Sequence, residues 1–182
     1  MRRRSIRSRT PRPRRSGPGS AVIRHARPVD HPDIAEINTL AFGKADEADL
    51  IARLREAGDV MFELVLEEAG TLQGHILFSR LWADNGQLYA ALAPMAVRPR
   101  LQATGIGSAL VRAGLASARE FGASGVLVLG HPGYYPKFGF LAETAAKVSS
   151  PYSGSPAFMA LEIERGAFAH PVMVAYSNAF SA

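Results

Sequence analysis

The run from Leu88 to Val97 has strand character, and it breaks through Arg98-Pro99-Arg100-Leu101-Gln102-Ala103-Thr104 into a helical period from Gly105 to Phe121. A second aliphatic run, Val126-Leu127-Val128-Leu129, follows between Gly125 and Gly130 and reads as a buried strand. Strand, helix, strand in that order is a crossover between parallel strands, which calls for an α/β sheet. The helix opens on two glycines, Gly105 and Gly107. A helix N-terminus presents unpaired N–H groups and the positive end of the macrodipole, and both suit a phosphate. Glycine there keeps Cβ atoms out of the way of a ligand approaching the backbone.

Upstream, the pattern predicts antiparallel strands. Val22 to Arg27 is a first strand, Asp30 to Phe42 a helix with Ile34, Ile37 and Leu40 on one side, and Asp46 to Glu56 a second helix with Leu50, Ile51 and Leu54. Met61 to Glu67 and Thr71 to Leu81 are strands two and three, joined by the turn Glu68-Ala69-Gly70. Asp84-Asn85-Gly86 is a hairpin signal leading into strand four. After strand five come a short helix, strands near Lys147 to Ser149 and Ala157 to Glu164, and a further edge strand at Val172 to Tyr176. This order predicts a single α/β domain over residues 20–182, with a mixed, mostly antiparallel sheet flanked by helices. Pro94 falls inside strand four, where a ladder bond needs an N–H. It marks a bulge or a strand leaving its neighbour, with an ordinary edge-strand proline as the alternative.

Charge separates the first residues from the rest. Residues 1–19 hold eight arginines and no acid, so removing them from a net charge of +5 leaves −3 for the remainder. This Arg/Pro-rich tail has too little apolar surface to fold and is expected to be disordered. A solvated extension or an early start codon, salt-sensitive contact with nucleic acid, and a targeting peptide are its open readings. No apolar h-region follows the arginines, which argues against secretion. The chain has no cysteine, which excludes disulfides, Cys-ligated metal and an acyl-cysteine intermediate and fits a reducing compartment. Its apolar runs are too short to cross a bilayer, so no membrane partner is expected.

The spacing Gln102-x-x-Gly105-x-Gly107 resembles the acyl-CoA signature of the GNAT superfamily of N-acyltransferases. Tyr134-Tyr135, three residues, then Gly139-Phe140 matches the Phe-Tyr and Gly-Phe pair found after the fifth strand in many members, with Tyr in place of Phe. The string Gly130-His131-Pro132-Gly133-Tyr134-Tyr135-Pro136-Lys137-Phe138-Gly139-Phe140 is similar to a branch of small bacterial acetyltransferases. The stretch Phe158 to Glu162, then Gly166-Ala167-Phe168 and Tyr176 to Phe180, fits the same branch. The resemblance covers residues 21–180.

This resemblance implies a sheet splayed between strands four and five. The pantetheine arm of acetyl-CoA would enter the gap, hydrogen-bonded by the backbone of Met95, Ala96 and Val97. The pyrophosphate would sit on the N–H groups of Gln102, Ala103, Thr104, Gly105, Ile106, Gly107 and Ser108. The hydroxyls of Thr104 and Ser108 either add bonds or simply start the helix. The implied chemistry is direct transfer: a neutral amine attacks the thioester, a strand-four N–H holds the oxyanion, and the CoA thiolate leaves. Tyr135 aligns with the family tyrosine near the CoA sulfur and is the candidate proton donor, while Tyr134 reads as a core aromatic.

Many members carry a Glu on strand four, but Tyr89-Ala90-Ala91-Leu92-Ala93 has none. His131, at the end of strand five, is the candidate base, against a turn-stabilising role before Pro132. Glu67, Glu68 and His75 are weaker candidates. His25, His31 and His170 read as surface residues, and no His/carboxylate pair has metal-ligand spacing, so no metal is expected. The acceptor pocket is expected between the first two helices and the loop Trp82-Ala83-Asp84. The expectation is therefore a cytoplasmic acetyl-CoA-dependent N-acetyltransferase acting on an unidentified amine, as monomer or homodimer. A non-catalytic acyl-CoA-binding module is the alternative.

Overall fold

The computed structural model describes residues 20–181. The arginine-rich tail expected over residues 1–19 lies outside the described residues. The elements are β1 (Val22–His25), α1 (His31–Phe42), α2 (Asp46–Ala57), β2 (Val60–Glu68), β3 (Thr71–Ala83), β4 (Tyr89–Val97), α3 (Ile106–Glu120), β5 (Gly125–Leu129), β6 (Val148–Ser149), β7 (Phe158–Glu162) and β8 (Val172–Ala175). The main sheet runs β1-β2-β3-β4-β5-β7. Every pair along it is antiparallel except β4–β5, the parallel pair that the α3 crossover requires. This is the mixed α/β sheet that the sequence predicts.

Alternation along the strands gives the sheet two apolar faces. On β2, Phe62, Leu64 and Leu66 join Ile76 and Phe78 of β3 and the α3 residues Leu110 and Val111 in one core. Val65 and Leu77 face the other way, onto Ile34 and Ile37 of α1 and Ile51 and Leu54 of α2. Helix α3 approaches the sheet closely at Gly114, where a Cβ would lie 2.4 Å from Cε2 of Phe78. The ring of Phe78 occupies the space that any other residue at 114 would need.

Three expectations change in detail. Helix α1 starts at His31, after a single 3₁₀ turn over Pro28–Asp30. The Asp30 carboxylate is buried there by accepting from the Arg27 N–H (2.7 Å) and from the Arg24 guanidinium (2.7 and 3.0 Å). Those bonds hold its pKa well below the usual carboxylate range, against the opposing effect of burial. The short helix after β5 is one 3₁₀ turn, Tyr135–Phe138. Strand β8 does not extend the β7 edge; it pairs with the far end of β3 (Trp82↔Ala175) and, in parallel, with β6. Past Leu81, β3 no longer pairs with β4, so its free backbone groups are taken up by β8.

The bulge foreseen at Pro94 is present. Ile76 pairs with Met95 and Phe78 with Leu92, so Ala93 and Pro94 stand opposite the single residue Leu77. The extra residue flips the strand's side-chain parity. Leu92 and Met95 both lie on the α3 side, and Ala96 turns to the α1–α2 side.

Candidate functional site

The bulge is also where the sheet opens. β4 and β5 pair from Tyr89↔Gly125 to Leu92↔Val128 and no further. Beyond Leu92, β4 keeps its β3 partner on one edge, and the other edge faces a cleft of about 770 Å³. The floor of the cleft is the β4 stretch Leu92 to Val97. One end is the turn into α3, with Gln102, Ala103, Gly105, Gly107 and Ser108. The wall across from β4 carries Leu129, Gly130, His131, Tyr134, Tyr135 and Lys137. The remaining side comes from Ala41 and Phe42 of α1 and from Glu47 and Leu50 of α2.

The turn into α3 is built for an anion. Ala103 (φ +62°) and Gly105 (φ +99°) both lie in the left-handed region, which turns the chain sharply after the extended residue Gln102. The N–H groups from Ala103 to Ser108 donate to no protein acceptor among the described residues. The next N–H, that of Ala109, is the first to close a helical bond, to Gly105 O. Six successive free donors at the positive end of α3 are an arrangement chemically suited to an anion. A Cβ at Gly105 would meet nothing within 4 Å, so the surface there is open, whereas one at Gly107 would lie 2.9 Å from the Tyr134 hydroxyl.

Three residues expected at the ligand sit differently. The Thr104 hydroxyl donates to Leu101 O (2.6 Å), and Thr104 does not line the cleft. It holds the turn, which is the helix-start role foreseen as its alternative. The Ile106 side chain packs into the core beneath α3, leaving only its N–H at the turn. The Gln102 N–H, expected at the phosphate, instead donates to Pro99 O (3.3 Å), and its side-chain amide ties the turn to the strand by donating to Val97 O (3.3 Å).

Tyr135 is placed by its neighbours. Its ring meets Tyr134 (5.2 Å) and Phe140 (5.7 Å) edge-on and lies flat against the backbone at Gly130, where a Cβ would come within 2.3 Å of Cε2. Burial, with a smaller contribution from Tyr134, pushes its phenol up to about 12, so it stays protonated at neutral pH. Tyr134 is half-buried and reaches the cleft, with the Lys137 ammonium 3.9 Å above its ring. It is thus a cleft residue as well as a packing one. His131 is exposed at the cleft mouth, and its carbonyl accepts from Tyr134 N (2.9 Å) and Tyr135 N (3.3 Å).

The weaker base candidates lie elsewhere. His75, a residue of β3, is fully buried. It sits in a chain of hydrogen bonds: Asn38 Nδ2 donates to its Nδ1 (3.2 Å), and its Nε2 donates to Glu63 Oε2 (2.8 Å). Arg55 donates to both Glu63 oxygens (2.8 and 2.6 Å). Because Asn38 supplies a proton to Nδ1, the ring carries its own on Nε2, and burial pushes the His75 pKa down, keeping it neutral. This network ties α1 and α2 to the sheet behind the cleft. Glu67 pairs with Arg24 (2.7 Å), and Glu68 borders the β2–β3 turn. Trp82-Ala83-Asp84 does not border the cleft. These residues lie at the far end of β3 against β8, because the cleft forms where β4 ends and they precede its start. The cleft residue that the sequence reading missed is Glu47, which carries no local motif.

A mixed sheet whose one parallel pair parts at a bulge, with a donor-lined strand-to-helix turn at the opening, defines the acyl-CoA N-acyltransferase class of fold. Residues 31–140 match the model of the Acetyltransferase (GNAT) family, and the chain belongs to that family. It is 41% identical over 116 residues to the uncharacterized N-acetyltransferase YjhQ of Escherichia coli K12, a match spanning 61% of this chain and 64% of YjhQ. The crystal structure of the E. coli GNAT family protein YhbS in complex with CoA superposes with a TM-score of 0.83 at 29% identity, covering 93% of this chain and 96% of that one. A GNAT family acetyltransferase from Brucella melitensis in complex with acetyl-CoA gives 0.72 at 33% identity, covering 89% and 99%.

Proposed function

We propose that this protein transfers the acetyl group of acetyl-CoA to a primary amine by direct attack. The observation that carries the reading is the juxtaposition of the turn with free N–H groups from Ala103 to Ser108, of which Ala103, Gly105, Gly107 and Ser108 line the cleft, with the unpaired edge of β4. The turn matches a pyrophosphate in charge and donor number, and the β4 edge at Met95, Ala96 and Val97 offers strand-like hydrogen bonds to the pantetheine amides. With the pyrophosphate at the turn and the arm along β4, the thioester comes beside the parting of β4 and β5, where Tyr135 and His131 stand. A β4 N–H holds the oxyanion. Tyr135, protonated at neutral pH, donates to the departing thiolate. His131, at the open mouth, assists proton release to solvent. The CoA thiol needs reducing surroundings, and a cytoplasmic location is part of this reading.

Calorimetric titration of acetyl-CoA into the wild type and Gly105→Glu tests it. The variant places a carboxylate where the pyrophosphate belongs, and the expected result is micromolar binding lost in a folded variant. Equal binding by both proteins would overturn the site assignment. Binding by the wild type with no CoA released to any primary amine would favour a non-catalytic acyl-CoA-binding module.

A further inference from the structure

One acidic side chain borders the cleft from α2, on a different element from Tyr135 and His131. Glu47, in the first turn of α2, borders the cleft, and its Oε2 is buried with no hydrogen-bond donor. A carboxylate oxygen removed from water without a donor is a costly arrangement unless a partner supplies one. Lys44 is near enough for the Glu47 charge to act on it, but no cation bonds Oε2. Lys44 pairs with Asp46 (2.6 Å), Arg55 with Glu63 (2.6 Å), Arg98 with Glu36 (2.9 Å), and Arg53 donates to Ala179 O (3.2 Å). Lys137, across the cleft, lies over the Tyr134 ring. Phe42 and Leu50 flank Glu47 with apolar surface on the same side.

We infer that Glu47 is the acceptor-binding carboxylate, holding the ammonium of a primary alkylamine whose carbon chain lies on Phe42 and Leu50, and taking its first proton. The inference rests on the acetyl-transfer reading and supplies the carboxylate that β4 lacks. The ammonium gives one proton to Glu47, and the freed lone pair forms the C–N bond at the thioester carbonyl while the C=O pair moves to oxygen. Collapse of that oxyanion breaks the C–S bond. Tyr135 passes its proton to the sulfur and recovers one from the nitrogen, and Glu47 returns its own to solvent. One acetyl group is transferred, and one proton is released beyond that in the CoA thiol. A neutral acceptor would offer Glu47 a weaker, uncharged donor and an anionic one would be repelled, so the cleft selects cationic amines with an aliphatic stem.

The test compares the full-length wild type, Glu47→Gln and Glu47→Asp, with n-butylamine as acceptor. Acetyl-CoA affinity is measured by calorimetry and turnover by release of CoA thiol. Glu47→Gln is expected to keep acetyl-CoA affinity within about twofold and to lose about 100-fold in kcat/KM for butylamine, with a raised KM as well as a lowered kcat. Glu47→Asp is expected to recover part of that loss, which a purely structural role would not produce. A kcat/KM within about threefold of wild type in Glu47→Gln would overturn the inference alone. So would a wild type that binds acetyl-CoA but releases no thiol with butylamine. Failure of the wild type to bind acetyl-CoA would instead sink the acetyl-transfer reading, and this inference with it.

Discussion

Replacing Gly130 with alanine should disable Tyr135 without substituting it. The new Cβ would lie 2.3 Å from Cε2, 2.7 Å from Cδ2 and 3.2 Å from Cζ of the Tyr135 ring. Ordinary carbon contacts need about 3.5 Å, so the ring must retreat by roughly 1.2 Å. It has nowhere easy to go, because Tyr134 and Phe140 hold it edge-on at 5.2 and 5.7 Å. Overpacking of this kind costs about 1–3 kcal/mol. For a domain of this size that lowers Tm by roughly 2–4 °C per kcal/mol. A displacement of about 1 Å at a reacting centre costs on the order of 100-fold in rate. Gly130→Ala should therefore melt several degrees lower, bind acetyl-CoA within a few-fold of wild type, and turn over about 100-fold more slowly at 20 °C. Thermal melting, calorimetry and thiol release measure the three. Adding Tyr135→Phe to Gly130→Ala should lower turnover little further, since both changes remove the same phenol. Wild-type turnover in folded Gly130→Ala would refute the placement of Tyr135 as proton donor.

Three further outcomes follow from the same geometry. Tyr135→Phe alone should lower turnover about 100-fold with acetyl-CoA affinity nearly intact, since only the donated proton is lost; unchanged turnover on an accepted amine counts against the acid role. Gly114→Ala drives a methyl to within 2.4 Å of Phe78 in the main core, and should cost about 1–3 kcal/mol in urea denaturation. The third concerns acid. Burial raises the Glu63 pKa, but the hydrogen bonds from His75 and Arg55 outweigh it and bring the carboxyl down to about 2. A depressed carboxylate stabilises the fold fully above its unfolded pKa of about 4.5, and that contribution is lost as pH falls from there toward 2. Denaturant titrations from pH 7 to pH 2.5 should show a shallower acid loss in Glu63→Gln than in wild type, and parallel curves would argue against this pairing.

Much of the cleft was legible because its parts are local. The donor-lined turn is a chain-contiguous device, with Ala103 to Ser108 carrying its free N–H groups on adjacent residues, so glycine spacing after a strand reveals it. Pro94 revealed the bulge for the same reason, since proline's missing N–H is a property of one position. Thr104 and Ile106 show the limit of that legibility. Both stand inside the motif, yet one hydroxyl turns back to Leu101 O and the other side chain sinks into the core.

Long-range placement was not legible. Of the elements expected around the acceptor, α1 and α2 border the cleft, but Trp82-Ala83-Asp84 falls at the opposite end of β3. Strand four carries no carboxylate, as its sequence already showed, and Glu47 borders the cleft from α2. In the sequence Glu47 is one of three acids, with Asp46 and Asp49, in the first turn of an amphipathic helix. Nothing in periodicity separates an acid at a cleft from one in solvent, because that depends on where α2 crosses the sheet. Sequence alone therefore determined the strand–turn–helix, the bulge and the order of elements, each set by residues adjacent along the chain. Only the packing of α1 and α2 over the parted strands decided which distant side chains share the cleft, because that choice belongs to contacts between elements rather than to any one of them.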